Sequence, residues 1–384
     1  MRVRTALVGS TALFLSAALA GPALAAAPAA AGRDAGGHQA TRRAMEAAVA
    51  AGVPGVTATA RDSRGTWSAT AGVGDVVTGA PRSPADRYRV GSITKTFVAT
   101  VLLRLQAEGR LDLDDTVDTW LPGLLRGHGH DGREITVRQL LNHTSGVYDY
   151  TSDADFVRDH FLKDGFFRHR YDTLTPRDLV ETAMRHEPYF APGTSWKYSN
   201  TNYVVAGMLI EKVTGHSYAT EIERRVIRPL RLTATSLPGT RVTVPRPSSR
   251  AYSKLALTTT GPTYDVTELN PSLASAAGEM ISDSADLDRF YSALLGGKLL
   301  PARQLKEMKT TVRVPGSPNT GYGLGLMDTR LGCGVHVWGH EGTIHGSASS
   351  AVTTADGRHS LAVDFNGDWS GGTGAVNEKE FCGD

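Results

Sequence analysis

The sequence predicts an α/β fold combined with an all-α part, in which an antiparallel sheet flanked by helices carries a helical insertion. Three observations lead there. Strand patterns occur near both ends of the chain, at 55–74 and again at 321–366, so strands from both ends can join one sheet. Between them, from Leu111 to about Arg250, helical segments alternate with polar loops. The 384 residues, 40% hydrophobic and 21% charged, suffice for a large core, and no internal repeat divides them. The expected α/β domain comprises 38–112 and 251–384, and the mainly helical domain 113–250.

In chain order, Met1-Arg2-Val3-Arg4 precedes an apolar run through Leu13, Phe14, Leu15 and Leu19, then Pro22 and Ala23-Leu24-Ala25. That is a basic start, an apolar centre and a small-residue cleavage site, so 1–25 is expected to be a signal peptide and the mature protein secreted and extracellular. The run falls short of the roughly 20 residues a membrane helix needs, and no later stretch approaches that length, so no membrane span is expected. Residues 26–37, rich in Ala and Gly, read as a flexible tail. A helix at 38–51 (Ala44, Met45, Ala48, Val49) ends at Gly52 and Pro54, and two strands at 55–62 and 65–74 form a hairpin.

A buried helix follows Ser92 through Phe97, Val98, Val101, Leu102 and Leu105, and stops at Gly109. Further helices are expected at 136–142, 175–186 and 202–214, and another from Ala285. Strands are expected at 321–328, 334–338, 347–354 and 360–366.

The formal net charge is +2, and removing Arg2 and Arg4 leaves 2 − 2 = 0, which argues against nucleic-acid partners. The two cysteines, Cys333 and Cys382, are expected to pair in an exported protein and tie the C-terminal tail to a strand. A loop of this size contributes about 4 kcal/mol in the chain-entropy model. Two cysteines are too few for a structural zinc site built from them.

Ser92 heads the only S-x-x-K in the chain, and i, i+3 spacing puts Ser92 and Lys95 on one helix face. A Ser there is also an ordinary helix cap. Tyr198-Ser199-Asn200 is the only Y-x-N. Of two H-x-G runs, 130–132 lies in a polar Gly-rich loop, whereas His340-Glu341-Gly342 falls between two expected strands and can line a sheet edge. Serine acyl transfer needs a nucleophile, a base, an acid for the leaving group and oxyanion donors, and Ser92, Lys95 and Tyr198 can supply the first three. Lys95 serves as a base only if burial lowers its pKa.

In order and context, the three motifs resemble those of the penicillin-recognising serine hydrolases, and the similarity covers nearly the whole mature chain. Leu140-Leu141-Asn142-His143-Thr144-Ser145-Gly146, the run from Tyr198 to Lys212 and the pair Cys333/Cys382 are most similar to secreted D-alanyl-D-alanine carboxypeptidases of the class C β-lactamase-like branch. The resemblance implies a β-lactamase/transpeptidase-like fold and an acyl-enzyme on Ser92. It implies proton shuttling by Lys95 and Tyr198, and a substrate-amide bond from Asn200. His340 stands where most relatives have Lys, Gly342 lets a substrate strand approach, and the N–H groups of Ser92 and Thr343 form the oxyanion hole. No metal or organic cofactor is implied. The partner is a small peptide substrate or a β-lactam, and the protein is expected to be a monomer.

Two departures stand out. Glu341 occupies the place of a hydroxyl residue that helps hold the substrate's terminal carboxylate, and a like charge opposes that carboxylate by about 1 kcal/mol or more. Met327 replaces an Arg after Gly-Leu-Gly-Leu, leaving Arg330 as the nearest cation, which reads as an exposed loop residue or as a carboxylate anchor. The expected activity is a serine-type D-Ala-D-Ala carboxypeptidase. The alternative is a D-stereospecific amidase, peptidase or esterase on the same machinery, and a non-catalytic penicillin- or ligand-binding module is a third reading. Loss of Ser92, Lys95 or Tyr198 would mark that module, and all three are present.

Other patterns read as structure. Residues 127–132 match G-x-G-x-x-G without a strand before or a helix after, and are taken as a polar surface turn. His340 to His345 is one residue too long for H-E-x-x-H, and no G-x-S-x-G is present. His143 is expected to be a hydrogen-bonded structural residue, and Trp338 and Tyr322 core aromatics that can also line the cleft.

Overall fold

The computed structural model describes residues 37–369 and 372–383. The expected signal peptide, and the tail up to residue 36, lie outside the described residues.

Eight strands form one antiparallel sheet. The first two, β1 (Gly55–Asp62) and β2 (Gly65–Gly72), are a hairpin; β3 (Val312–Arg313), β4 (Thr320–Tyr322), β5 (Met327–Arg330), β6 (His336–Ile344), β7 (Ser347–Thr354) and β8 (Ser360–Phe365) follow late in the chain. The order β2-β1-β8-β7-β6-β5-β4-β3 pairs the early hairpin with the last strand, Val56 opposite Phe365 and Ala60 opposite Leu361. Strands from both ends thus build one sheet, as the patterning predicts.

One side of β1 and β8 packs on α1 (Gln39–Ala50) and α5 (Thr373–Cys382) through Met45, Val56, Val363 and Val376. A larger core joins the sheet to α2 (Thr94–Ala107), α3 (Asn200–Thr214) and α4 (Ser284–Leu295). Its apolar set runs from Tyr88 to Ala362 and takes in Val117, Leu140, Phe166 and Val180 of the helical stretch, so sheet and insertion share one core. Burial of α2 is nearly complete, from Thr94 to Leu103, which is why apolar residues surround it, and its Phe97 ring stacks 3.7 Å from Phe290. Among the described residues no helix is long and apolar enough to cross a membrane.

Several boundaries differ from expectation. The segment 321–328 is two strands, β4 and β5, separated by a turn at Gly325, whose φ of +67° favours glycine and whose added Cβ would lie 2.7 Å from Ala99 Cβ and from Tyr203 Oη. His340-Glu341-Gly342 lies inside β6 rather than between strands. Register accounts for the difference: β5 pairs with β6 only from His336 to Gly339, so the later residues have a partner, β7, on one side alone. Glu341 and Thr343 are exposed there, which breaks the apolar pattern of a buried strand. Residues 126–131 form a two-stranded hairpin rather than a bare turn, with His130 buried in it. The disulfide joins Cys333, in the β5–β6 turn rather than in a strand, to Cys382 at the end of α5, with Cα atoms 5.7 Å apart.

Candidate active site

Ser92 sits in a 3-10 turn (Gly91–Ile93) that leads directly into α2. Gly91 adopts φ +51°, and a Cβ on it would fall 2.8 Å from Thr343 N. A Cβ on Gly342 would lie 1.9 Å from the Val90 carbonyl oxygen and 3.0 Å from Ser92 N. Both glycines are therefore required for the serine turn to press against the open edge of β6. That contact brings Thr343 N close to Gly91 and Ser92 N close to Gly342, which makes these two backbone N–H groups the candidates for an oxyanion hole.

Lys95 lies one turn on, fully buried. Its Nζ is 2.9 Å from Ser92 Oγ, 2.8 Å from Asn200 Oδ1 and 2.8 Å from the Ala277 carbonyl oxygen. Burial lowers its pKa to about 7, against a smaller upward pull from the Asp149 carboxylate. Near neutral pH a sizeable fraction of Lys95 is the free amine, able to take the Ser92 proton. Tyr198 also hydrogen-bonds Ser92, but burial pushes its phenol far above the usual range, so it is protonated at any working pH. Of the two, Lys95 is the group able to act as a base, and Tyr198 the one able to carry a proton.

Asn200, expected to bind the substrate amide, faces Lys95 through Oδ1, while Nδ2 lies 3.2 Å from Asp149 Oδ2 and 3.3 Å from Thr151 Oγ1. Asp149 Oδ1 also accepts from the Asn200 N–H at 3.1 Å, so the start of α3 and the side chain above Lys95 are pinned by one carboxylate.

The His340 ring lies 6.5 Å from that of Tyr198, and its bonds fix its protonation. Nδ1 faces the Glu341 carbonyl oxygen at 2.5 Å and carries the hydrogen, so Nε2 accepts from the Tyr322 hydroxyl at 2.9 Å. Tyr322 Oη accepts in turn from His143 Nε2 at 3.2 Å, because His143 Nδ1 receives the N–H of Ser199 and an amide hydrogen of Asn202. Donation thus runs one way, from His143 through Tyr322 and His340 to the backbone of β6. Burial lowers His340 to about 3 and His143 well below the usual histidine value, so both rings are neutral. His340 therefore brings no positive charge to the position where a Lys would bring one.

Glu341 projects at the open edge and lines a cavity of about 60 Å³ with Met327, Thr329, Gly339 and Val352. Its carboxyl pKa is raised by partial burial. Arg330 pairs with His336 at the opposite end of β5, about 10 Å along the strand from Met327, and is exposed. Arg330 is thus an exposed residue held away from Glu341, not a carboxylate anchor beside it.

Ala277 and Asp149 carry parts of the site that sequence reasoning did not assign, and Tyr322, expected to be a core aromatic able to line the cleft, hydrogen-bonds His340. The Ala277 contact is made by a carbonyl, aimed by a turn in which Ser275 takes φ +45°, and has no side-chain signature. His143, expected to be structural, is hydrogen-bonded and buried, and its ring lies 4.3 Å from that of Tyr198. Trp338 belongs to the core.

With this geometry in place, the comparisons with known proteins settle the family. A family model described as Beta-lactamase matches residues 41–378. The chain belongs to the beta-lactamase family. It is a serine hydrolase with a beta-lactamase/transpeptidase-like fold. Its solved relatives include a D-stereospecific amidohydrolase from Streptomyces sp., 61% identical with a TM-score of 0.87, covering 91% of this chain and 100% of that one. They also include the D-amino acid amidase of Ochrobactrum anthropi SV3, 29% identical with a TM-score of 0.76, covering 88% and 98%. Penicillin-binding protein 4* of Bacillus subtilis is 28% identical over 294 residues, 71% of this chain. This beta-lactamase-family chain spans 54% and 59% of the lengths of two curated B. subtilis relatives it matches.

Proposed function

We propose that the chain is a D-stereospecific amidohydrolase, hydrolysing amide bonds on the carboxyl side of D-amino-acid residues through an acyl-enzyme on Ser92. The observation that carries this reading is the 61% identity to an amidohydrolase of that specificity along that protein's full length. Glu341 at the open edge of β6 agrees with it, since a carboxylate there disfavours a free-acid leaving group and tolerates an amide or amine. This alternative is better supported than the D-Ala-D-Ala carboxypeptidase.

In the proposed reaction, neutral Lys95 takes the Ser92 proton as Oγ attacks the amide carbon. The oxyanion is held by the N–H groups of Ser92 and Thr343. The proton passes from Lys95 by way of Tyr198 to the leaving nitrogen, the C–N bond breaks, and an ester to Ser92 remains. Water then attacks that ester by the reverse route and releases the acid. Export and a monomeric state complete the proposal, the first from the N-terminal sequence pattern.

Ammonia release from D- and L-phenylalanine amide by wild type and Ser92→Ala tests it. Hydrolysis of the D-amide by wild type alone is expected; equal rates on the two enantiomers, or activity retained in Ser92→Ala, would overturn the reading.

A further inference from the structure

Behind the serine turn, three buried side chains each leave one polar atom without a partner among the described residues, and all three line one small cavity. They are Arg89, 3% exposed, through Nη1; His345, 4% exposed, through Nδ1; and Asn366, 3% exposed, through Oδ1. Buried polar atoms are rarely left unbonded, so three around one cavity call for an occupant.

Their neighbours fix what each atom needs. His345 Nε2 lies 2.7 Å from the His160 carbonyl oxygen and must carry the ring hydrogen, which leaves Nδ1 an acceptor. Burial keeps that ring neutral, its pKa lowered to about 4. The amide nitrogen of Asn366 donates to the carbonyls of Val73 and Arg250, both at 3.1 Å, so Oδ1 is an acceptor as well. Arg89 Nη2 donates to the carbonyls of Val242 at 2.7 Å and Leu269 at 3.1 Å, and Nη1 is a donor with nothing to meet. The occupant must therefore accept one hydrogen bond and donate two. An anion would meet two lone pairs, and a cation would meet an arginine. The cavity measures about 20 Å³, where about 10–15 Å³ suffices for one water.

We propose that a single water molecule occupies this cavity, accepting from Arg89 Nη1 and donating to His345 Nδ1 and Asn366 Oδ1. Two of its three partners lie next to the segments that build the oxyanion hole, and the third ties them to the middle of the sheet. Arg89 lies three residues before Ser92, His345 two after Thr343, and Asn366 directly after β8. The serine segment is also tied to the sheet by a bond of 3.2 Å from Ser349 Oγ, on β7, to the Val90 carbonyl. The water is a strut that holds the serine turn at a fixed depth against β6.

Crystals of the full chain grown in sodium bromide test this. One light-atom peak within hydrogen-bonding distance of all three atoms, with no bromide anomalous signal, is the expected result. An empty cavity, or an anomalous peak showing a halide beside a protonated His345, would overturn it. Asn366→Leu removes one acceptor and fills part of the space. The peak should vanish, and acylation of Ser92 by a fluorescent penicillin should slow about fivefold, the loss of one hydrogen bond's worth of positioning, with the concentration for half-maximal rate unchanged. An unchanged acylation rate would remove the strut role. The wild-type density decides occupancy even if the variant fails to fold.

Discussion

Lys95 Nζ lies 2.9 Å from Ser92 Oγ, and its remaining contacts go to Asn200 Oδ1 and the Ala277 carbonyl, so the amine is buried among acceptors with no carboxylate bonded to it. Burial destabilises the cation and lowers its pKa to about 7, which suits a base, while the three acceptors hold Nζ beside the serine. Replacing Lys95 by Ala should reduce kcat/KM by about 10³-fold or more, while far-ultraviolet circular dichroism stays that of the wild type. A loss below tenfold would give the base role to another group.

The pH profile follows from the same burial. Only neutral Lys95 accepts the serine proton, so kcat/KM should fall as pH drops through about 7 and level off above it. Asp149 raises the Lys95 pKa, so Asp149→Asn should move this acid limb to lower pH. A limb that stays in place or moves upward would show that another group controls it.

Tyr322 fixes the tautomer of His340. Nitrogen-15 spectra of histidine-labelled protein should show His340 carrying its hydrogen on Nδ1 and His143 on Nε2, both neutral at pH 6. Tyr322→Phe removes the donor to His340 Nε2 and should cost about fivefold in kcat, the worth of one buried hydrogen bond, while His143 also loses its acceptor. Finding His340 protonated on Nε2 in the wild type would contradict the direction of donation.

Glu341 should act on the leaving side. Glu341→Thr is expected to raise kcat/KM for a peptide ending in a free D-Ala carboxylate about fivefold relative to its C-terminal amide, matching about 1 kcal/mol of relieved repulsion. An unchanged ratio would place the Glu341 carboxylate outside the reach of the leaving group.

The disulfide closes a sequence separation of 49 residues. In the chain-entropy model, replacing both cysteines by Ser should cost about 4 kcal/mol at 25 °C, read as a lower midpoint in guanidinium. Because Cys333 and Cys382 lie in a turn and at a helix end away from Ser92, kcat should not change.

The candidate trio is legible because its chemistry is local: Ser92 and Lys95 share a helix face, and Tyr198 comes just before a helix. The outline of the sheet was legible from β-rich patterns at both ends of the chain. Residues placed by long-range contacts were not. Ala277 acts through its carbonyl, Asp149 acts through Asn200, and Tyr322 meets His340 only after a turn at Gly325 has separated β4 from β5. The strand through His340 was hidden for a related reason. An edge strand open on one side exposes Glu341 and Thr343, and that exposure is what leaves room for a substrate.

The most direct measurement compares kcat/KM for a diacyl-L-Lys-D-Ala-D-Ala peptide with that for its C-terminal amide, using wild-type enzyme. An amidohydrolase with Glu341 at its leaving side should prefer the amide, by about tenfold. Preference for the free acid would contradict that reading and make the protein a carboxypeptidase.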